Sequence, residues 1–402
     1  MDNNEVYLKK FENTVDILGD LIKIPSPYFQ EDEIINHVSK WLTNVGIENE
    51  IQEYYEEKVT NFKGKNVNCV LDGGKEGPTI YLNGHLDTVH LCQGWEHEPY
   101  GAEIEDGKIF GVGSLDMKSG CAAIMSAIKE FNDNYKEFNG KILVSFVSDE
   151  EGPYGLGTNA AIEAGFTENV DVSIVAEPSA GFTKGDFPNI CLGARGGYGM
   201  SVEFFGKAAH AANPHLGVNA AIEAGKFITH LDQIEFKEDP YLDKGCICVV
   251  SVESDGGACS VPEYAKVQMF RHMVPGETKE TIIEEIDDIV KIAGVQCEYK
   301  ILFREAPTEG SEAFLPYRVE EDNPYVTRII ESCKDVTGLD TSITYFQSIG
   351  DFCYLGTRIS APCIIFGAAG ENYHTNDEYT TIDSLIKTSA ILYDYLVRLL
   401  IK

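Results

Sequence analysis

Five stretches of the sequence place histidines and carboxylates where short apolar runs end. Gly84-His85-Leu86-Asp87-Thr88-Val89 follows the run Thr79 to Leu82, and His85 and Asp87, two positions apart, point the same way on a strand. Asp116 lies in Gly111-Val112-Gly113-Ser114-Leu115-Asp116-Met117-Lys118-Ser119-Gly120, and Asp149-Glu150-Glu151-Gly152 follows Lys141 to Val147. Glu177-Pro178 closes a further apolar run, and His374 lies in Glu371-Asn372-Tyr373-His374-Thr375-Asn376-Asp377-Glu378. Singly, each has a plain structural explanation: a core histidine held by a carboxylate, a helix cap, a solvated loop. Together they form a donor set suited to zinc or a similar divalent ion. Three carboxylates crowded at one strand end are costly unless cations neutralise them. A carboxylate bridging two ions about 3.5 Å apart lets them share a nucleophilic water and polarise a carbonyl, which is hydrolytic chemistry. A further carboxylate must take the water's proton and return it to the leaving amine. The adjacent Glu150 and Glu151 can divide those tasks, one as base and one as ligand.

These residues need a scaffold that brings strand ends together. Val67 to Leu71, Thr79 to Leu82, Lys141 to Val147 and Val170 to Ala176 are short β-branched runs alternating with helical stretches such as Gly120 to Phe131. That alternation predicts an α/β fold with a mixed, mostly parallel sheet covered by helices, whose strand carboxyl ends are where ligands sit. Helical periodicity runs from Phe11 to Ile22, before Pro25 and Pro27, and again from Glu31 to Asn44. Glu105-Asp106-Gly107-Lys108 predicts a tight hairpin turn. After about residue 190 the order becomes strand 198–205, helix 219–231, strands 246–253 and 265–273, helix 277–293 and strand 296–303. This βαββαβ order is that of a ferredoxin-like α+β domain. The catalytic domain is therefore expected at 1–190 and 305–402, with an inserted domain at 191–304.

The 402 residues carry 65 acids against 32 lysines and arginines, a formal charge of -33 that repels phosphates and anionic lipids. Nucleic-acid and membrane binding are excluded as expectations. Eleven cysteines without a Cys-x-x-Cys pair, and a start MDNNEVYLKK without the pattern of a secretory signal, point to a reducing cytoplasm. Asp383, Lys387, Asp394 and Arg398 interrupt the apolar stretch 382–401, which reads as an amphipathic helix docked on a core.

The ordered set Ile24-Pro25-Ser26, GHLDTV, GVGSLDMKSG, SDEEG, AEPS and YHTNDEY resembles the dinuclear zinc metallopeptidase and deacylase family of acetylornithine deacetylase, succinyl-diaminopimelate desuccinylase, aminoacylase, carboxypeptidase G and peptidase T. The resemblance implies two divalent ions, zinc first and cobalt or manganese as alternatives. One would be held by His85, Asp116 and Glu177, the other by Asp116, Glu151 and His374. It implies Glu150 as general base, Asp87 as the group orienting His85 through its other ring nitrogen, and a cis peptide between Asp116 and Met117. The inserted domain resembles the family's lid and dimerisation domain, which implies a homodimer. His210, in Gly206-Lys207-Ala208-Ala209-His210-Ala211, would then reach the partner subunit's site and stabilise the tetrahedral intermediate. Arg271, before Pro275-Gly276, would clamp the carboxylate of a small-molecule substrate, and Asn219 would face that substrate. Glu177, where aminopeptidase relatives tend to carry Asp, leans the reading toward hydrolysis of an N-acyl amino acid or a short peptide with a free carboxylate. A dipeptidase, aminopeptidase or carboxypeptidase is the alternative, and a catalytically inactive binding protein a third reading, although no ligand or base is missing.

Overall fold

The architecture comes from a computed structural model that describes residues 3–401. The chain divides into two compact units, Met1–Ala194 with Arg318–Phe346 and Gly350–Lys402, and Arg195–Tyr317 with Gln347–Ile349. Strand Asn189–Ala194 extends the first unit past residue 190, and residues after 304 stay with the second because Phe314 and Gly197 exchange backbone hydrogen bonds.

The first unit is built on a mixed sheet. Its strands lie in the order Asn49–Glu56, Phe62–Asp72, Phe138–Val147, Gly74–His85, Val172–Val175, Cys363–Ile365 and Asn189–Ala194, with Ser342–Phe346 also paired to the last. The central four from Phe138–Val147 to Cys363–Ile365 run parallel to one another. Both faces of these strands are covered, which is why they read as unbroken apolar runs: Ile80, Tyr81, Leu82, Ile142, Val144, Phe146, Ile174 and Ile364 have no exposed surface. Helix Lys118–Asn134 packs against helices Thr14–Ile22 and Ile382–Leu400. The register sets His85 opposite Val147 and Asn83 opposite Val175, so the segments after three parallel strands, carrying Asp87, Asp149 to Glu151 and Glu177, leave the sheet at one edge.

A small sheet of Gly370–Glu371, Tyr379–Thr381, Lys108–Phe110 and Ile104–Glu105 holds the loop that bears His374. Its hairpin turns at Asp106 and Gly107, both left-handed with φ of 46° and 75°, as the Asp-Gly pair predicts. The second unit is a four-stranded antiparallel sheet ordered Cys246–Glu253, Tyr264–Met273, Gly196–Phe205, Glu298–Phe303, with helices Ala220–Ile228 and Lys279–Ile292 joining its strands. Its core of Val202, Phe204, Phe227, Val267, Met269, Ile282 and Ile286 lies between sheet and helices. Among the described residues no helix is long and apolar enough to cross a membrane.

Candidate active site

Five segments of the first unit converge on one cluster. Asp116 stands at its centre: Oδ1 lies 3.2 Å from Nε2 of His85 and Oδ2 3.2 Å from Nε2 of His374. Glu177 Oε1 lies 3.4 Å from the same nitrogen of His85, and Glu151 Oε1 2.8 Å from that of His374. Two sets of three, His85 with Asp116 and Glu151 and His85 with Glu150 and Glu177, bring donor atoms within reach of one another, as metal ligands must. Glu150 Oε2 is 3.9 Å from His85 Nε2, while its Oε1 accepts the backbone N–H of Asp351 at 3.0 Å. One carboxylate oxygen of Glu150 is anchored and the other faces the cluster. Buried Glu177 Oε2 has no hydrogen-bond partner among the described residues, and a bound cation would satisfy it.

Backbone approach makes this convergence possible. A Cβ at Gly120 would sit 2.0 Å from the carbonyl oxygen of Ala176, and one at Gly367 2.4 Å from that of Glu177. Both glycines let neighbouring elements close onto the strand end that presents Glu177. The Asp116–Met117 peptide is cis.

Buried carboxylates fix the loops from behind. Glu378 accepts the N–H groups of Gly113, Leu115 and Asp116, each at 2.8 Å. Asp87 does the same for the base turn, taking the N–H of Glu150 at 3.1 Å and of Glu151 at 2.8 Å. Glu31 adds the N–H of Asp149 at 3.1 Å. Asp149 itself is left-handed, with φ 58°, and the three bonds hold that turn. Asp87 also faces the other ring nitrogen of His85: Nδ1 lies 3.0 Å from its main-chain oxygen and 3.5 Å from its carboxylate. Lys118, fully buried, donates to the carbonyls of Leu21 and Ile24 at 3.0 and 2.9 Å, and Ser26 pairs with Leu86 and Thr88. The Ile24-Pro25-Ser26 motif is thus a brace beneath the histidine segment. Glu31, Glu378 and Lys118 were not singled out from the sequence. Glu378 lies within the YHTNDEY stretch, but Glu31 sits in an acidic run that looks like a solvated helix start.

The other three sequence candidates belong to the second unit. His210 is exposed and its Nδ1 accepts the N–H of Ala212 at 3.1 Å. Asn219 caps helix Ala220–Ile228, its side chain accepting the N–H of Ile222 at 3.2 Å. Arg271 does not stand as expected. It is fully buried on the helix-covered face of strand Tyr264–Met273, together with Ala265, Val267, Met269 and Met273. Glu285 takes its Nε and Nη2 at 3.0 and 2.8 Å, Glu277 also accepts from Nη2, and the carbonyl of His272 accepts from Nη1. A guanidinium satisfied by two carboxylates has no free fork for a substrate, so the proposed carboxylate clamp is withdrawn. The two-residue alternation Val267-Met269-Arg271-Met273 was the signal that Arg271 points inward.

Electrostatics follow from burial. It raises Glu177 to about 8 and Glu151 to about 7, in each case with Asp116 adding repulsion. Burial holds Glu150 well above the usual carboxylate range. Burial would raise Asp116 too, but His374 and His85 hold it below its ordinary value. Burial would lower His374, but Asp116 and Glu151 push it up to about 11. Away from the cluster's centre, burial raises Glu31 and Glu378 to about 8 each from 4.5. A carboxyl raised in the folded state contributes stability that is present in full below about 4.5 and is lost as pH rises through about 8. Denaturant titrations in chelator should therefore show unfolding free energy falling between about pH 5 and 7, by about 1.4 kcal/mol per pH unit for each proton released. Glu378→Gln should flatten that slope, and a slope unchanged by it would contradict the assignment.

A family profile described as peptidase family M20/M25/M40 matches residues 81–398, which takes in all five segments of the cluster. A succinyl-diaminopimelate desuccinylase of Orientia tsutsugamushi is 25% identical over 388 residues, covering 95% of each chain. Among solved structures, a Staphylococcus aureus tripeptidase superposes with a TM-score of 0.77 at 18% identity, covering 97% of this chain and 98% of its own. A Bacillus subtilis protein described as a dinuclear metal-binding M20 peptidase gives 0.72 at 16% identity, covering 97% and 98%. With a profile spanning most of its length and histidines and carboxylates converging at the strand ends of an α/β sheet, the chain belongs to peptidase family M20/M25/M40 and is a hydrolase.

Proposed function

We propose that the protein is a two-cation amidohydrolase that removes the acyl group from an N-acyl amino acid or cleaves a short peptide. The observation that carries this reading is Asp116, whose two carboxylate oxygens each face a different histidine, as a bridging ligand's must. His85, Asp116 and Glu177 would hold one ion, and Asp116, Glu151 and His374 the other. Imidazole and carboxylate donors favour zinc, with cobalt or manganese as alternatives. When bound, such a pair polarises a carbonyl and lowers the pKa of water. Glu150 takes the proton of the attacking water on Oε2 and passes it to the leaving nitrogen, while the Asp351 N–H keeps Oε1 in place. Asp87 contributes by fixing the turn that carries Glu150 and Glu151. His210, exposed in the second unit, is assigned to the oxyanion in the site of a partner copy, the second unit serving as lid and dimerisation surface. The eleven cysteines include no Cys-x-x-Cys pair, which supports the cytoplasm. The sequence relatives named as desuccinylases support an N-acyl substrate over a dipeptide.

The test is turnover of N-acetyl amino acids beside matched dipeptides, using protein stripped of metal and reloaded with zinc, cobalt or manganese. Acetyl substrates should lead by about tenfold or more in kcat/KM. A lead for the dipeptides would move the assignment to a dipeptidase, and no turnover with any metal would sink the hydrolytic reading.

A further inference from the structure

Three of the segments that build the cluster also bring aromatic rings. Phe182 ends the short turn Ser179–Phe182 that follows Glu177-Pro178, Tyr373 precedes His374, and Phe352 follows Asp351. Phe346, at the end of strand Ser342–Phe346, joins them. Phe182 stacks on Phe346 with ring centres 4.8 Å apart and planes 20° apart, and meets the edge of Tyr373 at 5.0 Å. Phe346 meets Phe352 at 5.6 Å, and Tyr373 lies 5.6 Å from the ring of His374. The wall therefore runs continuously from the Glu177 segment to His374. Phe352 is buried, but Phe182 and Phe346 are only half-buried and Tyr373 is 38% exposed. Three neighbouring aromatic rings, each partly exposed beside a catalytic cluster, offer the apolar area from which a recognition surface for an apolar group is built.

Charge separates this surface from one built for an acidic acyl group. Residues 84–90, 111–118, 147–154, 176–188, 346–352 and 371–379 contain Lys118 and Lys184 as their only lysines or arginines. Lys118 is fully buried and spent on two carbonyls, and Lys184 is exposed. From these segments only the exposed Lys184 is available to pair with a second carboxylate on the substrate.

We infer that the wall of Phe182, Phe346 and Tyr373 is a specificity subsite for an apolar, preferably aromatic, group flanking the scissile amide. This inference rests on the amidohydrolase reading. The aromatic group can belong to the acyl half or to the amino acid half, and the substrates below separate the two.

The experiment measures kcat and KM of the metal-loaded protein for N-acetyl-alanine, N-succinyl-alanine, N-benzoyl-alanine and N-acetyl-phenylalanine. The wild type should favour one of the two aromatic substrates over N-acetyl-alanine by about tenfold, and over N-succinyl-alanine by more. Phe182→Ala and Phe346→Ala should erase most of that preference through KM, with a much smaller loss on N-acetyl-alanine. Phe182→Leu keeps apolar volume without a ring, so it reports on stacking if the alanine variant fails to fold. Lys184→Ala should leave the ranking as it is. A wild type that prefers the succinyl substrate, or variants that lower kcat on all four substrates equally, would overturn the subsite while leaving the hydrolase reading intact. Failure to turn over any of the four would instead strike the hydrolase reading itself.

Discussion

Glu150→Gln is expected to lower kcat by about a thousandfold with KM and metal content close to those of the wild type. The amide keeps a carbonyl oxygen to accept the Asp351 N–H, so the side chain stays anchored, but the end facing His85 can no longer take a proton. The result discriminates because the geometry also allows a rival. His85, Glu150 and Glu177 bring donor atoms close enough to hold an ion together, which would make Glu150 a ligand and not a base. Metal analysis beside steady-state kinetics separates the two: a base leaves the metal in place, whereas a ligand takes one equivalent with it. Burial holds Glu150 well above the ordinary carboxylate range, which suits a group that must hold a proton between water and the leaving amine near neutral pH.

Asp116→Ala carries the second large effect. Each oxygen of this carboxylate faces a different histidine, so its removal should empty both ion positions and lower kcat/KM by at least about a thousandfold. Glu177→Gln and Glu151→Gln should each lose one ion and leave the other. The three variants therefore give a two-one-one pattern of metal loss that no unbridged arrangement produces. Chelation of the wild type should reproduce the loss of activity and also lower stability. A ligand at a thousand times its dissociation constant contributes about 4 kcal/mol, and its removal leaves Asp116, Glu151 and Glu177 facing one another. Calorimetry with and without chelator reads this directly, and an unchanged melting temperature would argue against resident cations.

The sequence revealed residues that sit where a period changes, and hid those whose work is done behind the site. Strand Cys246–Glu253 was legible to the residue because it is a short run rich in valine and isoleucine, and the Asp-Gly hairpin because only a few residue types tolerate its angles. Strand Asn49–Glu56 went unread: as the edge of its sheet it carries three glutamates, a glutamine and an asparagine, a composition resembling a loop. The helix expected from Phe11 to Ile22 is interrupted, with a 3-10 turn at Lys9–Phe11 before helix Thr14–Ile22. Within the site, strand-end motifs identified the histidines and acids that meet, since position at a strand terminus is visible in the pattern. Glu31 and Glu378 were invisible because their function is to accept backbone N–H groups from distant loops, and no spacing records that. Arg271 was misjudged for the opposite reason: its place before Pro275-Gly276 assigned it to a substrate carboxylate, although its register placed it among core positions.

The interleaved order of the two units has a consequence for synthesis. Strand Cys363–Ile365 lies between Val172–Val175 and Asn189–Ala194, strands that leave the ribosome far earlier, and His374 and Glu378 follow it still later. Until that late strand is translated, the early half of the sheet has an open seam, and the acids of the cluster lack their second histidine. The self-contained second unit can fold during that interval, whereas the first must wait for its missing strand. Nascent chains arrested before about residue 380 should accordingly be protease-sensitive and inert in their first unit, which limited proteolysis of the arrested chains would read.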